Sequence, residues 1–189
     1  MLKQNILLID LCKEKLHYFE FVKPIEDILN ALGIKFFVKK YNQIQGGDLN
    51  KASKVIICGT SLKDNTFSNL ANLKYFNWLR VFNRPVLGIC GGMQIIGLIL
   101  SANEKKLTQK TQIGFYYENF GKNFLGLTGK QEVYHLHNYF FNFPKKDFNS
   151  YCSSSGVNQA VKYRTRKIYG VLFHPEVRQK GLISNFCNL

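Results

Sequence analysis

Short apolar runs alternate with longer amphipathic segments along the first half of the chain. Four runs are apolar over most of their length, which is typical of strands covered on both faces: Asn5–Asp10, Ile34–Val38, Lys54–Ile57 and Pro85–Leu87. The segment from about Tyr18 to Leu32 has apolar residues at helical spacing, with Pro24 near its first turns and Gly33 placed to end it. A second helical spacing precedes the fourth run, at Leu70, Leu73, Phe76, Leu79 and Phe82. This alternation predicts an α/β fold with a parallel sheet.

The second half changes character. From about Ser101 to Ser150 the chain is rich in Gly, Asn, Lys and aromatic residues with short alternating stretches, which predicts antiparallel strands and loops. Ala160–Arg164 and Ile168–Phe173 are predicted to be two further strands, and Gly181–Cys187 a short terminal helix. We therefore expect one domain over residues 1–189, built on an open, mostly parallel sheet with helices on both faces plus a small antiparallel sheet.

A cysteine stands where the fourth predicted strand turns into a helix. Gly88-Ile89-Cys90-Gly91-Gly92 follows that strand and precedes the helix-compatible stretch Met93–Leu100. The glycines permit a tight turn with a positive φ, as in a nucleophile elbow. The helix N-terminus would place free N–H groups and partial positive charge beside the Cys90 sulfur, and the Gly91 N–H would stabilise an oxyanion. Cys90 is thus a candidate nucleophile.

The partners of such a nucleophile occur far along the chain. His174 and Glu176 follow the last predicted strand, where an imidazole can deprotonate a thiol and a carboxylate can orient the imidazole. The turn after Lys54–Ile57 would lie at the same sheet edge, and its Gly59 is the candidate second oxyanion donor.

The pattern Gly-x-Cys-x-Gly-x-Gln after a strand, with a late Phe-His-Pro-Glu, resembles the class I glutamine amidotransferases, which have a flavodoxin-like fold. That resemblance implies hydrolysis of the glutamine side-chain amide, with ammonia passed to a synthetase. It implies a catalytic triad of Cys90, His174 and Glu176, an oxyanion role for Gly59 and a glutamine contact for Gln94. We expect neither a cofactor nor a metal.

Within that family the tail, Tyr169–Val177 and Asn185–Cys187, resembles the glutaminase subunit of two-subunit GMP synthases. This implies a role in purine biosynthesis beside a separate ATP-dependent synthetase subunit. His137 resembles the histidine of a Ser-His segment that lines the glutamine pocket there, and a half-exposed strand residue is an equal alternative. The chain departs from the family in the Asp10–Glu14 turn, which has neither glycine nor glutamine, and in Cys58-Gly59-Thr60, where Gly-Gly-Pro is usual.

Composition restricts the function classes. The five cysteines are widely spaced and odd in number, which argues against a disulfide framework and a zinc site. His135 and His137 share a strand face but lack a cysteine or carboxylate cluster for metal binding. The N-terminal apolar run is too short for a signal peptide or membrane span, so we expect a cytoplasmic location and no membrane partner.

The net charge of +14 is the remaining feature, from 26 Lys and Arg against 12 Asp and Glu. A solvated basic surface explains it without a nucleic-acid partner, because the cations are spread along the chain and form no recognisable binding motif. Three hypotheses stay open. They are an amidotransferase with a separate synthetase or a different acceptor, a stand-alone γ-glutamyl hydrolase or peptidase, and a regulatory protein whose charge binds nucleic acid.

Overall fold

The structure, a computed structural model, describes residues 4–64, 66–101 and 106–189, and all their side chains except that of Leu70. Residues 102–105, in the predicted antiparallel region, lie outside the described residues. The strands alternate with helices up to residue 100 and then follow one another: β1 (Asn5–Asp10), β2 (Lys35–Lys40), β3 (Lys54–Ile57), β4 (Val86–Ile89), β5 (Thr108–Phe124), β6 (Leu127–Phe140), β7 (Phe148–Ser154), β8 (Val157–Tyr163) and β9 (Ile168–Val171).

The helices are short and lie mostly between the parallel strands. They are α1 (Lys15–Phe21), α2 (Lys23–Ala31), α3 (Gly46–Lys51), α4 (Leu70–Leu73), α5 (Gly91–Leu100) and α6 (Gly181–Cys187), with 3₁₀ turns at Tyr41–Gln43, Thr66–Ser68 and Lys74–Arg80. None of the helices formed by the described residues is long and apolar enough to cross a membrane.

Seven strands form one sheet in the order β2-β1-β3-β4-β9-β8-β7. The first five in that order are parallel, while β8 and β7 continue the sheet in antiparallel fashion. The strands β5 and β6 form a separate antiparallel hairpin. The predicted fold class is therefore confirmed.

The core lies on both faces of the sheet, which explains why its central strands are apolar throughout. In β1, Leu7 and Ile9 pack into one buried cluster with residues of α5, whereas Ile6 and Leu8 pack into the other with residues of α1, α2 and α6. Alternate residues of a strand point to opposite faces, so both sets must be apolar.

The single helix predicted from Tyr18 to Leu32 is wrong in one respect, because the structure has two helices that meet at Val22. Pro24 occupies one of the first two positions of α2. Proline has no N–H to donate and its ring collides with the carbonyl four residues earlier, so the first helix cannot continue through it. Gly33 has a φ of +66° and follows the end of α2, as expected for a C-terminal glycine.

The helix predicted before β4 is largely a 3₁₀ helix, Lys74–Arg80, preceded by α4. Its buried apolar residues recur every three positions, at Leu73, Phe76, Leu79 and Phe82. Three residues per turn is the 3₁₀ period, so this winding aligns all of them on the core side.

The sequence prediction also missed β7. This strand forms a hairpin with β8 across Ser155 and Gly156, which have φ values of 50° and 77°. Positive φ at both central residues is typical of the tight turns that join antiparallel strands.

Candidate active site

Cys90 lies between β4 and α5 in a strained backbone conformation, with φ 48° and ψ −103°. Its N–H donates to the carbonyl of Val171 in β9 at 2.8 Å. The flanking glycines are required by close approach: a Cβ on Gly88 would lie 2.6 Å from the backbone of Gly92, and a Cβ on Gly92 would collide with the carbonyl oxygen of Ile57. Such backbone strain costs about 1–3 kcal/mol and persists only where neighbouring structure imposes it. The turn therefore has the form of a nucleophile elbow.

His174 and Glu176 follow β9 and are buried, with 1% and 3% of their surfaces exposed. The His174 Nδ1–H donates to Glu176 Oε1 at 2.7 Å, and the His174 backbone N–H donates to the Tyr134 carbonyl at 2.8 Å. Burial would lower the pKa of His174, but the Glu176 carboxylate and the Cys90 thiol outweigh it and raise that pKa well above its usual value. The ring is thus fixed by its carboxylate, and its Nε2 atom has no hydrogen-bond partner among the described residues.

Gly59 packs against the side chains of His174 and Cys90. A Cβ at this position would lie 2.6 Å from Cε1 of His174 and 3.6 Å from Cβ of Cys90. Gly91 is the first residue of α5, so its N–H belongs to the free donors at the start of that helix. The structure thus brings the backbone of both candidate oxyanion donors next to Cys90.

A small cleft opens beside the elbow. Its lining includes four of the predicted site residues, namely Cys90, Gly91, Gln94 and His137. The Gln94 Nε2–H donates to the Tyr139 carbonyl at 2.8 Å, which fixes the amide in the cleft wall. The other predicted site residues, Gly59, His174 and Glu176, are not part of that lining.

His137 is buried, so the half-exposed alternative is wrong. Burial, followed by the charge of the neighbouring His135, lowers the pKa of His137 to about 4. Gln112 Oε1 accepts from Gln159 Nε2 and lies 3.2 Å from His137 Nε2. Because that oxygen is an acceptor, the proton of the neutral ring is on Nε2, and Nδ1 has a free lone pair.

The hairpin supplies contacts that sequence reasoning missed. The Cys90 thiol donates to the carbonyl of Leu136 at 3.5 Å, and the carbonyls of Tyr134 and Tyr139 hold His174 and Gln94. These contacts leave no sequence signal, because every residue carries the same carbonyl. Phe67, which also lines the cleft, was missed as well.

His135 has a carboxylate partner that the sequence did not indicate. Its Nε2 lies 3.2 Å from Glu118 Oε1, which also accepts from the Ser154 hydroxyl at 2.9 Å. His135 and His137 do share a strand face, with ring centroids 5.5 Å apart. Together these contacts attach the hairpin to the edge strand β7.

The chain is similar in sequence to proteins of one family. Residues 17–185 match the family model described as glutamine amidotransferase class-I. A GMP synthase (glutamine-hydrolysing) of Spiroplasma kunkelii is 34% identical over 109 residues, 54% of this chain, and the match spans 21% of that relative. The imidazole glycerol phosphate synthase subunit HisH of Haemophilus influenzae is 29% identical over 185 residues, 83% of this chain and 91% of that protein.

Solved structures share the fold. A protein from Thermoplasma acidophilum that is assigned as one subunit of a GMP synthase superposes with a TM-score of 0.82 and 23% identity, covering 100% of this chain and 94% of that one. A glutamine amidotransferase from Thermotoga maritima has a TM-score of 0.71 and 21% identity, covering 100% of this chain and 84% of that one.

Proposed function

This chain belongs to the class I glutamine amidotransferase family, and on that premise we propose that it hydrolyses the side-chain amide of glutamine and supplies the ammonia to a separate synthetase. The observation that carries the proposal is that the strained Cys90 elbow, which lines the cleft, and His174, held by buried Glu176, both lie against Gly59. Residues 1–189 act as a single glutaminase domain in this proposal.

The first half of the reaction forms a thioester. The Cys90 thiol transfers its proton to His174, whose raised pKa favours the protonated ring, and the thiolate attacks the glutamine carboxamide carbon. The backbone N–H groups of Gly59 and Gly91 stabilise the tetrahedral oxyanion. His174 then protonates the leaving nitrogen, and ammonia departs as the C–N bond breaks.

The second half regenerates the enzyme. His174 deprotonates a water molecule that attacks the glutamyl thioester, and the proton returns to the Cys90 sulfur as glutamate leaves. Glu176 holds the Nδ1–H of His174 throughout, which keeps Nε2 available for each transfer. No cofactor is needed in this cycle.

Gln94 and His137 are proposed to bind the substrate. Both line the cleft next to Cys90. The Nδ1 atom of His137 is buried and has no hydrogen-bond partner among the described residues, so it is an acceptor that a small rearrangement of the ring would offer to an N–H donor of glutamine.

For the partner, we propose the synthetase subunit of a two-subunit GMP synthase. The sequence match to a GMP synthase and the whole-chain superposition on a protein assigned as one subunit of such an enzyme support this. The match to HisH over 83% of this chain and 91% of that protein supports a second candidate, the partner subunit of an imidazole glycerol phosphate synthase. A stand-alone γ-glutamyl hydrolase or peptidase, using the same site, is the third.

The first experiment tests the nucleophile and the glutamine pocket together. The protein is incubated with an electrophilic glutamine analogue, with and without excess glutamine, and adducts are located by peptide mass spectrometry. Cys90→Ala is the negative control, and Cys187→Ala is the matched control at a buried cysteine of α6. We expect a glutamine-protectable adduct on Cys90 alone. An adduct on other cysteines, or one that glutamine does not suppress, would contradict the proposal.

The second experiment separates the partners. Glutamate formation is measured for the chain alone and with each candidate synthetase subunit. Stimulation by the GMP synthase subunit supports the first candidate, and stimulation by the imidazole glycerol phosphate synthase partner supports the second. Full glutaminase activity that neither subunit changes would favour the stand-alone hydrolase.

A further inference from the structure

A second buried carboxylate lies near the proposed active site without belonging to the triad. Asp64 has 1% of its surface exposed. Its Oδ2 atom accepts three hydrogen bonds, from His17 Nδ1–H at 2.7 Å, from the Thr60 hydroxyl at 2.9 Å and from the Lys13 backbone N–H at 3.0 Å. A carboxylate is an acceptor only, so His17 carries its proton on Nδ1. Three donors on one oxygen offset much of the cost of burying the charge.

The three donors come from three separate parts of the fold. Lys13 lies in the loop after β1, His17 lies in α1, and Thr60 directly follows Gly59 in the turn after β3. The Asp64 backbone N–H also donates to the carbonyl of Ser61 at 3.0 Å. Asp64 therefore ties the turn that contains Gly59 to the first strand and to the first helix.

The same helix reaches the catalytic histidine proposed above. Phe21 lies one helical turn after His17, and their rings are in edge contact at 6.4 Å. The Phe21 ring packs on the His174 ring at a centroid distance of 5.4 Å. His174 in turn lies against Gly59. The contacts thus form a closed circuit that runs from Asp64 through Thr60 and Gly59 to His174, and returns through α1.

From this circuit we propose that Asp64 is a positioning residue for the oxyanion donor, a role that rests on the proposed function. Its carboxylate holds Thr60 and thereby keeps the Gly59 N–H aimed at the oxyanion beside Cys90. Thr60 lines the cleft and is itself buried, so a rotation of this turn would move the Gly59 donor directly. Loss of a whole oxyanion donor lowers kcat by about 10²–10³, and a displaced donor loses part of that factor.

The test compares two substitutions of Thr60 that differ in the hydroxyl. Thr60→Val keeps the shape and removes the donor to Asp64, whereas Thr60→Ser keeps the donor. We expect Thr60→Val to lower kcat for glutamine hydrolysis about tenfold or more, with KM within about twofold, because the donor acts on the transition state. Thr60→Ser should stay within about threefold of the unaltered chain. Thr128→Val makes the same change at an exposed position and is the matched control.

A second readout separates positioning from general damage. Alkylation of Cys90 by iodoacetamide passes through no oxyanion on a carbonyl carbon, so its rate should be the same in Thr60→Val and in the unaltered chain. A parallel fall in alkylation and turnover would show a disturbed thiol and overturn the inference. Asp64→Asn should reproduce the Thr60→Val effect. If that variant fails to fold, the Thr60 pair decides.

The remaining outcomes distinguish this inference from the proposed function. Equal kcat values for Thr60→Val and Thr60→Ser, in a chain that hydrolyses glutamine, would overturn the role of Asp64 alone. If the unaltered chain forms neither glutamate nor a Cys90 adduct with the glutamine analogue, the proposed function fails and the inference fails with it.

Discussion

Gly59→Ala tests how closely the proposed active site is packed. The added Cβ would lie 2.6 Å from Cε1 and 3.1 Å from Nδ1 of His174. Carbon atoms in contact prefer about 3.5 Å or more, so the ring or the turn must move by about 0.9 Å. The same Nδ1 atom is held by Glu176 Oε1 at 2.7 Å, so this movement weakens that hydrogen bond or displaces the oxyanion donor.

A misplacement of about 1 Å in a catalytic group costs about 100-fold in rate. We therefore expect kcat/KM of Gly59→Ala to fall about 100-fold in a glutamate-formation assay, while overpacking destabilises the fold by about 1–3 kcal/mol. Gly47→Ala is the matched control, because a Cβ there meets nothing within 4 Å and lies in α3. Circular dichroism and thermal melts show whether each variant is folded. A folded Gly59→Ala with activity within about twofold of the control would refute the reasoning.

Three further predictions follow from the burial and charge of single groups. Glu176→Gln should lower kcat less than Cys90→Ala, which should abolish turnover with an unchanged melting temperature; undiminished activity would remove Glu176 from the triad. Iodoacetamide at pH 7.5 should label Cys90 before Cys152, because burial raises the pKa of Cys152 to about 12; equal labelling rates in peptide mass spectra would contradict this. Burial alone would raise the pKa of Glu118, but the hydrogen bond from His135 lowers it below its ordinary value of 4.5. The contribution of Glu118 to the free energy of unfolding is therefore complete above pH 4.5 and is lost as the pH falls below that value. Denaturant titrations at several pH values should show that Glu118→Gln weakens the dependence of the free energy of unfolding on pH. The same pH dependence in the variant and in the unaltered chain would contradict this prediction.

The sequence predicted those elements whose residues face the core on both sides. The bounds of β1 and β3 agree with the structure, because apolar runs of these lengths are buried on both faces of the sheet. The bounds of α6 also agree, and its buried residues, Leu182, Ile183, Phe186 and Cys187, recur at helical spacing. β7 was missed because Phe148–Ser154 is largely polar and obtains its strand conformation from pairing with β8. The 3₁₀ winding of Lys74–Arg80 was visible only as a period of three residues within a helical pattern.

Part of the candidate site could likewise be predicted from the sequence, and part of it could not. The positions of Cys90, His174 and Gly59 followed from the rule that parallel strands end at one edge of the sheet. The contacts of Asp64 with Lys13 and His17 could not be predicted, because they join residues 51 and 47 positions apart whose pairing depends on the fold. Likewise, the buried state of His137 depends on how the hairpin lies against the edge strands, which no local pattern specifies.

Apart from the side chain of His137, the hairpin contacts the catalytic residues and Gln94 through its main chain, and this has a consequence for sequence divergence. The carbonyls of Tyr134, Leu136 and Tyr139 contact His174, Cys90 and Gln94. A main-chain carbonyl remains an acceptor when the side chain of its residue is replaced, so positions 134, 136 and 139 of the hairpin can accumulate substitutions while the site keeps its geometry. In a saturation mutagenesis experiment scored by glutamine hydrolysis, position 136 should accept many residues, while proline, which alters the backbone, should be rejected.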